Sequence, residues 1–173
     1  MNYKDMQLVI LMAGKGSRLY PLTLGFPKSL LSIKQKPAVY NMILPLIKEG
    51  LRNIIIVVNM ENKQLIQDFF DNSFKNKEIK FNYVIQDNFD GPAGAFKLTE
   101  KYIESPTILL LGDTLCKYPK NYDESWIGVS KVKKEEKFRF CMIESNDKGI
   151  ITNIFDKPTE EVMTDDAAVG IYY

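Results

Sequence analysis

The residues best suited to chemistry gather near the start of the chain, in Gly14-Lys15-Gly16-Ser17-Arg18 and, a little further on, Lys28. Two glycines let a backbone turn sharply and approach a ligand with no Cβ in the way. Successive backbone N–H groups in such a turn form a concave site for anions, and Arg18 and Lys28 add two cations to it. Phosphate is the ligand that uses all of these groups. Gln86 carries an amide that can hydrogen-bond a base edge, and Gly91 offers backbone against which a nucleobase or sugar can lie flat. The run Leu109-Leu110-Leu111-Gly112 ends on Asp113. A carboxylate just past a buried strand suits Mg²⁺, which takes oxygen ligands and bridges phosphates. Taken singly, each feature has a plain structural reading: a tight connection at Gly14, a turn into a helix at Asp90-Gly91-Pro92, and a cap at Asp113. Their combination favours a ligand site.

Two familiar phosphate motifs do not fit. The dinucleotide fingerprint G-x-G-x-x-G needs a third glycine where Leu19 stands, and the triphosphatase loop G-x-x-x-x-G-K-[ST] needs its lysine after the second glycine, whereas Lys15 precedes Gly16. A longer pattern remains, G-x-G-S-R-L-x-P-x-T-x-x-x-P-K from Gly14 to Lys28. It resembles the signature of the sugar-1-phosphate nucleotidyltransferases, or nucleotide-sugar pyrophosphorylases. Three further segments carry the same resemblance: Q-x-x-x-x-G-x-A-x-A at Gln86, Gly91, Ala93 and Ala95; G-D at Gly112-Asp113; and Phe155-Asp156-Lys157-Pro158, which is similar to the family's E-K-P segment.

The resemblance implies an enzyme joining an NTP to a sugar-1-phosphate and releasing pyrophosphate, with Mg²⁺ held by Asp113. Arg18 would then hold the β- and γ-phosphates, Lys28 would draw the α-phosphate and the incoming phosphate together, and Lys157 would dock the acceptor phosphate. Ala13, Gly14, Gly16, Ser17, Gln86 and Gly91 would form the nucleotide site. Glu144, Asp156, Lys157 and Gly170 would form the sugar-phosphate site, with Asp166 aligned loosely beside them. A role in nucleotide-sugar supply for cell-surface polysaccharide is implied as well, and a homo-oligomer stays open. The chain departs from the family at Arg139-Phe140-Cys141, where many relatives have Arg-Tyr-Gly, and the family's second metal-binding Asp lies beyond the equivalent of Tyr173. Two alternatives follow from these departures: a cytidylyltransferase acting on phosphocholine or another phosphorylated alcohol, and a non-catalytic nucleotide-sugar sensor. A dehydrogenase is disfavoured by the missing third glycine.

The elements that must position these residues alternate. Leu8 to Met12 is a short apolar run with the length of a buried parallel strand. Pro37 opens a segment with helical spacing at Val39, Met42, Ile43, Leu46 and Ile47, and Gly50 ends it. Asn53 to Val58 is a near-continuous β-branched strand, residues 62–70 a helix, Lys80 to Gln86 a strand, Ala93 to Glu104 a helix and Thr107 to Leu111 a strand. This order predicts an α/β, Rossmann-like, mainly parallel sheet flanked by helices on both faces. The last third holds four strand-like runs, 127–132, 138–144, 150–156 and 167–173, with a hairpin turn at Asp147-Lys148-Gly149. The expectation is one nucleotidyltransferase domain over residues 1–173 with a β-rich C-terminal extension. Ending on Val169-Gly170-Ile171-Tyr172-Tyr173, inside an apparent buried strand, predicts a domain truncated at its C-terminus.

Composition narrows the classes. The chain has 173 residues with 23 Lys and Arg against 22 Asp and Glu, a net charge of +1, which gives no electrostatic case for nucleic acid or an anionic membrane as partner. The lysine-rich stretch 131–137 is interrupted by Glu135 and Glu136 and predicts a solvated turn. The absence of histidine excludes His-based triads and argues against structural zinc. The two cysteines, Cys116 and Cys141, are expected to be free core thiols. The N-terminal apolar run is too short for a bilayer and lacks a signal-peptide layout, so a cytoplasmic location is the expectation.

Overall fold

The computed structural model describes residues 2–75, 77–88, 90–119 and 123–173. Its contacts divide into two compact units, Met1–Glu124 with Tyr173, and Ser125–Tyr172.

The first unit is the α/β part. Its strands β1 (Gln7–Leu11), β4 (Asn53–Val58), β5 (Lys80–Ile85) and β6 (Thr107–Leu111) are joined through α1 (Ala38–Lys48), α2 (Lys63–Ser73) and α3 (Gly91–Lys97). A two-residue hairpin pair, β2 (Ser32–Ile33) and β3 (Lys36–Pro37), precedes α1. The large strands are parallel in the order β5-β4-β1-β6, with Leu11 opposite Val57 on one side and Leu111 on the other. All five residues of β1 and all but the first of β4 are buried, as strands covered on both faces must be.

Strand alternation assigns the two faces. Val9, Leu11, Ile55, Val57 and Val84 pack with Ala95 and Phe96 of α3. On the other face Phe81, in register with Ile54, meets Phe70 of α2 edge-on at 5.3 Å, and Phe74 stacks on Tyr40 of α1. The expected helices on both faces are therefore present. Gln7, fully buried at the start of β1, is satisfied by Tyr102 O, by the backbone N–H groups of Glu104 and Ser105, and by the Ser105 hydroxyl. This polar clamp fastens the α3–β6 connection.

The expected helix 93–104 is shorter than its apolar spacing suggests. The α-helix ends at Lys97 and a 3₁₀ turn follows at Glu100–Tyr102. Thr99 explains the break, because both its backbone N–H (2.9 Å) and its hydroxyl (2.6 Å) donate to Phe96 O and tighten the chain.

The second unit is antiparallel: β7 (Ile127–Lys131), β8 (Cys141–Ser145), β9 (Ile151–Asp156) and β10 (Asp166–Tyr172). Here β8 pairs with β9, and β10 with both β7 and β8. One buried cluster in it is Met142, Val162 and Ala167, flanked by Val132, Phe140 and Phe155, and Ile143 and Ile171 are buried as well. The hairpin turn forms where expected. The Asn146 side chain accepts from the N–H groups of Lys148 and Ile150, and Gly149 sits at φ +76°.

Three expectations are corrected here. The strand expected from 138 begins only at Cys141, because Lys134–Arg139 forms 3₁₀ turns and Phe140 N–H donates to Lys137 O, leaving that stretch outside the ladder. The lysine-rich stretch is also not uniformly solvated. The Lys137 side chain is only 11% exposed, and its ammonium donates to Val162 O while pairing with Asp165 at 2.7 Å. Both cysteines are free as expected, yet half-buried rather than in the core. No helix among the described residues is long and apolar enough to cross a membrane.

Candidate active site

The sheet order places a switch point beside β1. The chain leaves β1 for β4 and β5 on one side, then crosses back to β6 on the other. At such a point connections diverge beyond the carboxyl ends of the strands and leave a crevice. The Gly14–Arg18 loop follows β1 and Asp113 follows β6, so two segments far apart in sequence meet there.

Lys28 and Asp113 form the centre of the crevice. Lys28 Nζ lies 2.6 Å from Asp113 Oδ2, with side chains 24% and 53% exposed. Both residues line two cavities. One, of about 280 Å³, is further lined by Ala13, Gly14, Gln86, Gly91, Ala95 and Gly112. The other, of about 400 Å³, is lined by Gly16, Ser17, Arg18 and Leu19. Every residue expected in the nucleotide site thus lines one of two cavities sharing the Lys28–Asp113 pair. Arg18 is exposed and makes no ion pair among the described residues.

Local structure explains how the loop is held. Gly16 adopts φ +66°, in the left-handed region, and a Cβ there would come within 3.1 Å of both Lys28 Cβ and Thr23 Cγ2. Only glycine meets both demands without strain. Thr23, buried, donates its hydroxyl to Gly16 O at 2.8 Å. Asn59, buried just past β4, donates to Ala13 O at 2.8 Å and accepts from Asn62 N–H. The sequence reading missed both supports. Thr23 lay in the quoted pattern without a role, and the signal for Asn59 is an amide closing an otherwise β-branched run. Gly112 permits the close crossing that sets Asp113, since a Cβ there would stand 2.8 Å from Leu11 O.

Gln86 continues the β5 ladder through its N–H to Val58 O, and its side-chain Nε2 donates to Asp90 Oδ1 at 3.0 Å. Gly91 begins α3 at φ +87°.

The sugar-phosphate candidates lie in the second unit. Glu144 on β8 accepts from Asn153 Nδ2 at 2.6 Å, while Asp156 ends β9 opposite Cys141. Three residues of register separate these pairs, so Glu144 and Asp156 project from opposite faces of the β8–β9 hairpin. Burial first, and the Asp156 charge second, push the Cys141 thiol up. Lys157 holds φ +47° and donates its N–H to Phe140 O. A non-glycine residue held there carries strain of order 1–3 kcal/mol, as functional positions often do. Gly170 is buried in β10 at φ +80°, within the shift of register against β7, and Asp166 pairs with Lys131 at 3.1 Å.

The donor set constrains any metal. Among the described residues no group of three His, Cys, Asp or Glu is placed to hold an ion, and Asp113 is the only acid lining either cavity. Such a site fits a Mg²⁺ that keeps most of its oxygens from phosphates and water, and does not fit an all-protein cage.

Comparison with known proteins gives the family and the fold. The chain belongs to the nucleotidyl transferase family, whose model matches residues 7–173. It is 31% identical over 173 residues to a mannose-1-phosphate guanyltransferase of Aspergillus oryzae, covering 91% of this chain and 46% of that protein. It is 30% identical over 184 residues to a glucose-1-phosphate thymidylyltransferase of Neisseria meningitidis, covering 97% and 61% respectively. The chain therefore spans about half the length of the curated relatives it matches. A solved structure described as a candidate glucose-1-phosphate thymidylyltransferase of Bacillus anthracis, in complex with sucrose, superposes with a TM-score of 0.83 at 27% identity, covering 96% of this chain and 70% of that one. A UDP-glucose pyrophosphorylase complexed with UDP-glucose shares the fold, at TM-score 0.81 and 22% identity.

Proposed function

We propose that this chain provides the nucleotide-handling part of an enzyme that makes an NDP-sugar and pyrophosphate from an NTP and a sugar-1-phosphate. The observation that carries the reading is the contact of Lys28, from the loop that follows β1, with Asp113, just past the adjacent parallel strand β6, beside a glycine loop and Arg18, which makes no ion pair among the described residues. Family membership and the names of the relatives support it.

In the reaction an oxygen of the sugar phosphate attacks the α-phosphorus. A new P–O bond forms, the bond from the α-phosphorus to the bridging oxygen breaks, and pyrophosphate leaves with that electron pair. The nucleophile is already an anion, so no general base is required, and a chain without histidine loses nothing. The protein's work is positioning and neutralising charge. Arg18 holds the β- and γ-phosphates and favours the departing pyrophosphate. Lys28 exchanges its contact with Asp113 for phosphate oxygens and draws the α-phosphate and the attacking phosphate together. Mg²⁺, held through Asp113, supplies charge neutralisation across the phosphates when bound. The cavity between Ala13, Gln86 and Gly91 takes the nucleoside, and Lys157, with Asp156 and Gly170, belongs to the acceptor side, from which Glu144 is set apart by projecting from the opposite face of the β8–β9 hairpin. One domain over residues 1–173, acting in the cytoplasm on small molecules, completes the proposal.

The test is pyrophosphate release by the full-length protein with Mg²⁺, five NTPs and a panel of sugar-1-phosphates. Release that requires both substrates supports the reading, and no release from any pair overturns it.

A further inference from the structure

Asp90 stands at the N-cap of α3, a position where an Asp side chain ordinarily accepts a backbone N–H of the first turn. Here it makes no such bond. Its carboxylate lies instead against Gln86, accepting from Nε2 at 3.0 Å. Gly94, one turn along the helix, makes room for it: a Cβ at Gly94 would fall within 2.1–2.2 Å of the Asp90 carboxyl atoms. An omitted cap and a glycine inside a short helix thus leave the carboxylate free to reach Gln86, at some cost to the helix in each case.

The chemistry of that contact fixes the orientation of the amide. An ionised carboxylate only accepts hydrogen bonds, so the Gln86 atom facing it must be the NH₂ group. Gln86 Oε1 then remains, without a partner among the described residues, on a buried side chain that lines the same cavity as Ala13, Gly14 and Gly91. The cavity therefore presents a hydrogen-bond acceptor held by a second residue.

Building on the proposed nucleotide site, we infer that Asp90 is a positioning residue that sets base selection. By orienting Gln86 it favours nucleotides whose base carries a ring N–H on its pairing edge (uracil, thymine or guanine). Cytosine and adenine carry an unprotonated ring nitrogen there, which would oppose Oε1 lone pair to lone pair.

Calorimetric titration of the full-length protein with UTP, dTTP, GTP, CTP and ATP tests this. The wild type should bind the best N–H nucleotide about tenfold to hundredfold more tightly than CTP or ATP, the worth of one hydrogen bond left unmade at a buried acceptor. In Asp90→Asn the side chain can donate or accept, so Gln86 is free to flip and the ratio should fall towards one. Gly94→Ala displaces the same carboxylate by a different route and should lower the ratio too, which guards against misfolding of either variant. A helix-capping role alone would shift the melting temperature without changing the ratio between bases. Binding with a base preference that both variants retain, or a wild type preferring CTP or ATP, overturns the role of Asp90. A wild type that binds no nucleotide overturns the nucleotide site itself.

Discussion

The two units solve the problem of charge in opposite ways. In the first, cations gather at a crevice where Asp113 answers Lys28 and Arg18 has no ion-pair partner among the described residues, above strands buried on both faces. In the second, a small buried cluster around Met142, Val162 and Ala167 is supplemented by ion pairs closed among neighbours: Lys137 with Asp165, Lys134 with Glu161, and Lys131 with Asp166. The first unit thus has positive charge in excess at one place, the arrangement an anionic ligand requires. The second uses its charges to hold its own loops.

Substitutions can break that contrast, beginning with the largest effect. Lys28→Ala should lower turnover at least about a hundredfold, the scale of losing a group that stabilises transition-state charge, with circular dichroism unchanged. Near wild-type turnover would remove Lys28 from the mechanism. Asn59→Leu should come next in scale, because it leaves Ala13 O and Asn62 N–H without their partner. A loss of about 2–3 kcal/mol in urea unfolding is expected, with a raised KM for NTP. Thr23→Val removes a single buried bond to Gly16 O, and about 1 kcal/mol is the expected loss.

The smallest effects belong to the second unit. Lys137→Met should lower the melting temperature, whereas Lys134→Met, at an exposed pair, should leave it unchanged. The hydrogen bond from Lys137 holds the Asp165 carboxyl below its ordinary value. That contribution is complete at neutral pH and is lost as pH falls through the lowered value. The wild type should therefore lose more stability on acidification than Lys137→Met. Equal acid slopes would show that the pair does not sharpen the contrast between the units.

Much of this was legible in sequence where local rules and tertiary demands agree. The β-branched run 53–58 reads as a doubly covered strand because nothing in it competes, and the structure buries it on both faces. Gly14, Gly16, Arg18, Lys28, Gln86, Gly91 and Asp113 were nameable from residue type and spacing, and they line two cavities with a shared wall. Contacts that depend on three dimensions were hidden. Thr99 bends the chain back on Phe96 and shortens a helix whose apolar spacing continues. Asn59 supports Ala13 across 46 residues. Glu144 and Asp156 were grouped by resemblance, and only the strand register reveals that they face opposite ways.

In the proposed reaction the Lys28–Asp113 crevice directs attack at the α-phosphorus of a nucleotide. This is tested most directly by following labelled phosphate through one turnover of the full-length protein with Mg²⁺ and a sugar-1-phosphate. Label at the α-phosphorus should appear in the sugar nucleotide, label at the γ-phosphorus in pyrophosphate, and Lys28→Ala should suppress both. Transfer of the γ-label to the sugar, or the predicted label pattern undiminished in Lys28→Ala, would contradict the account.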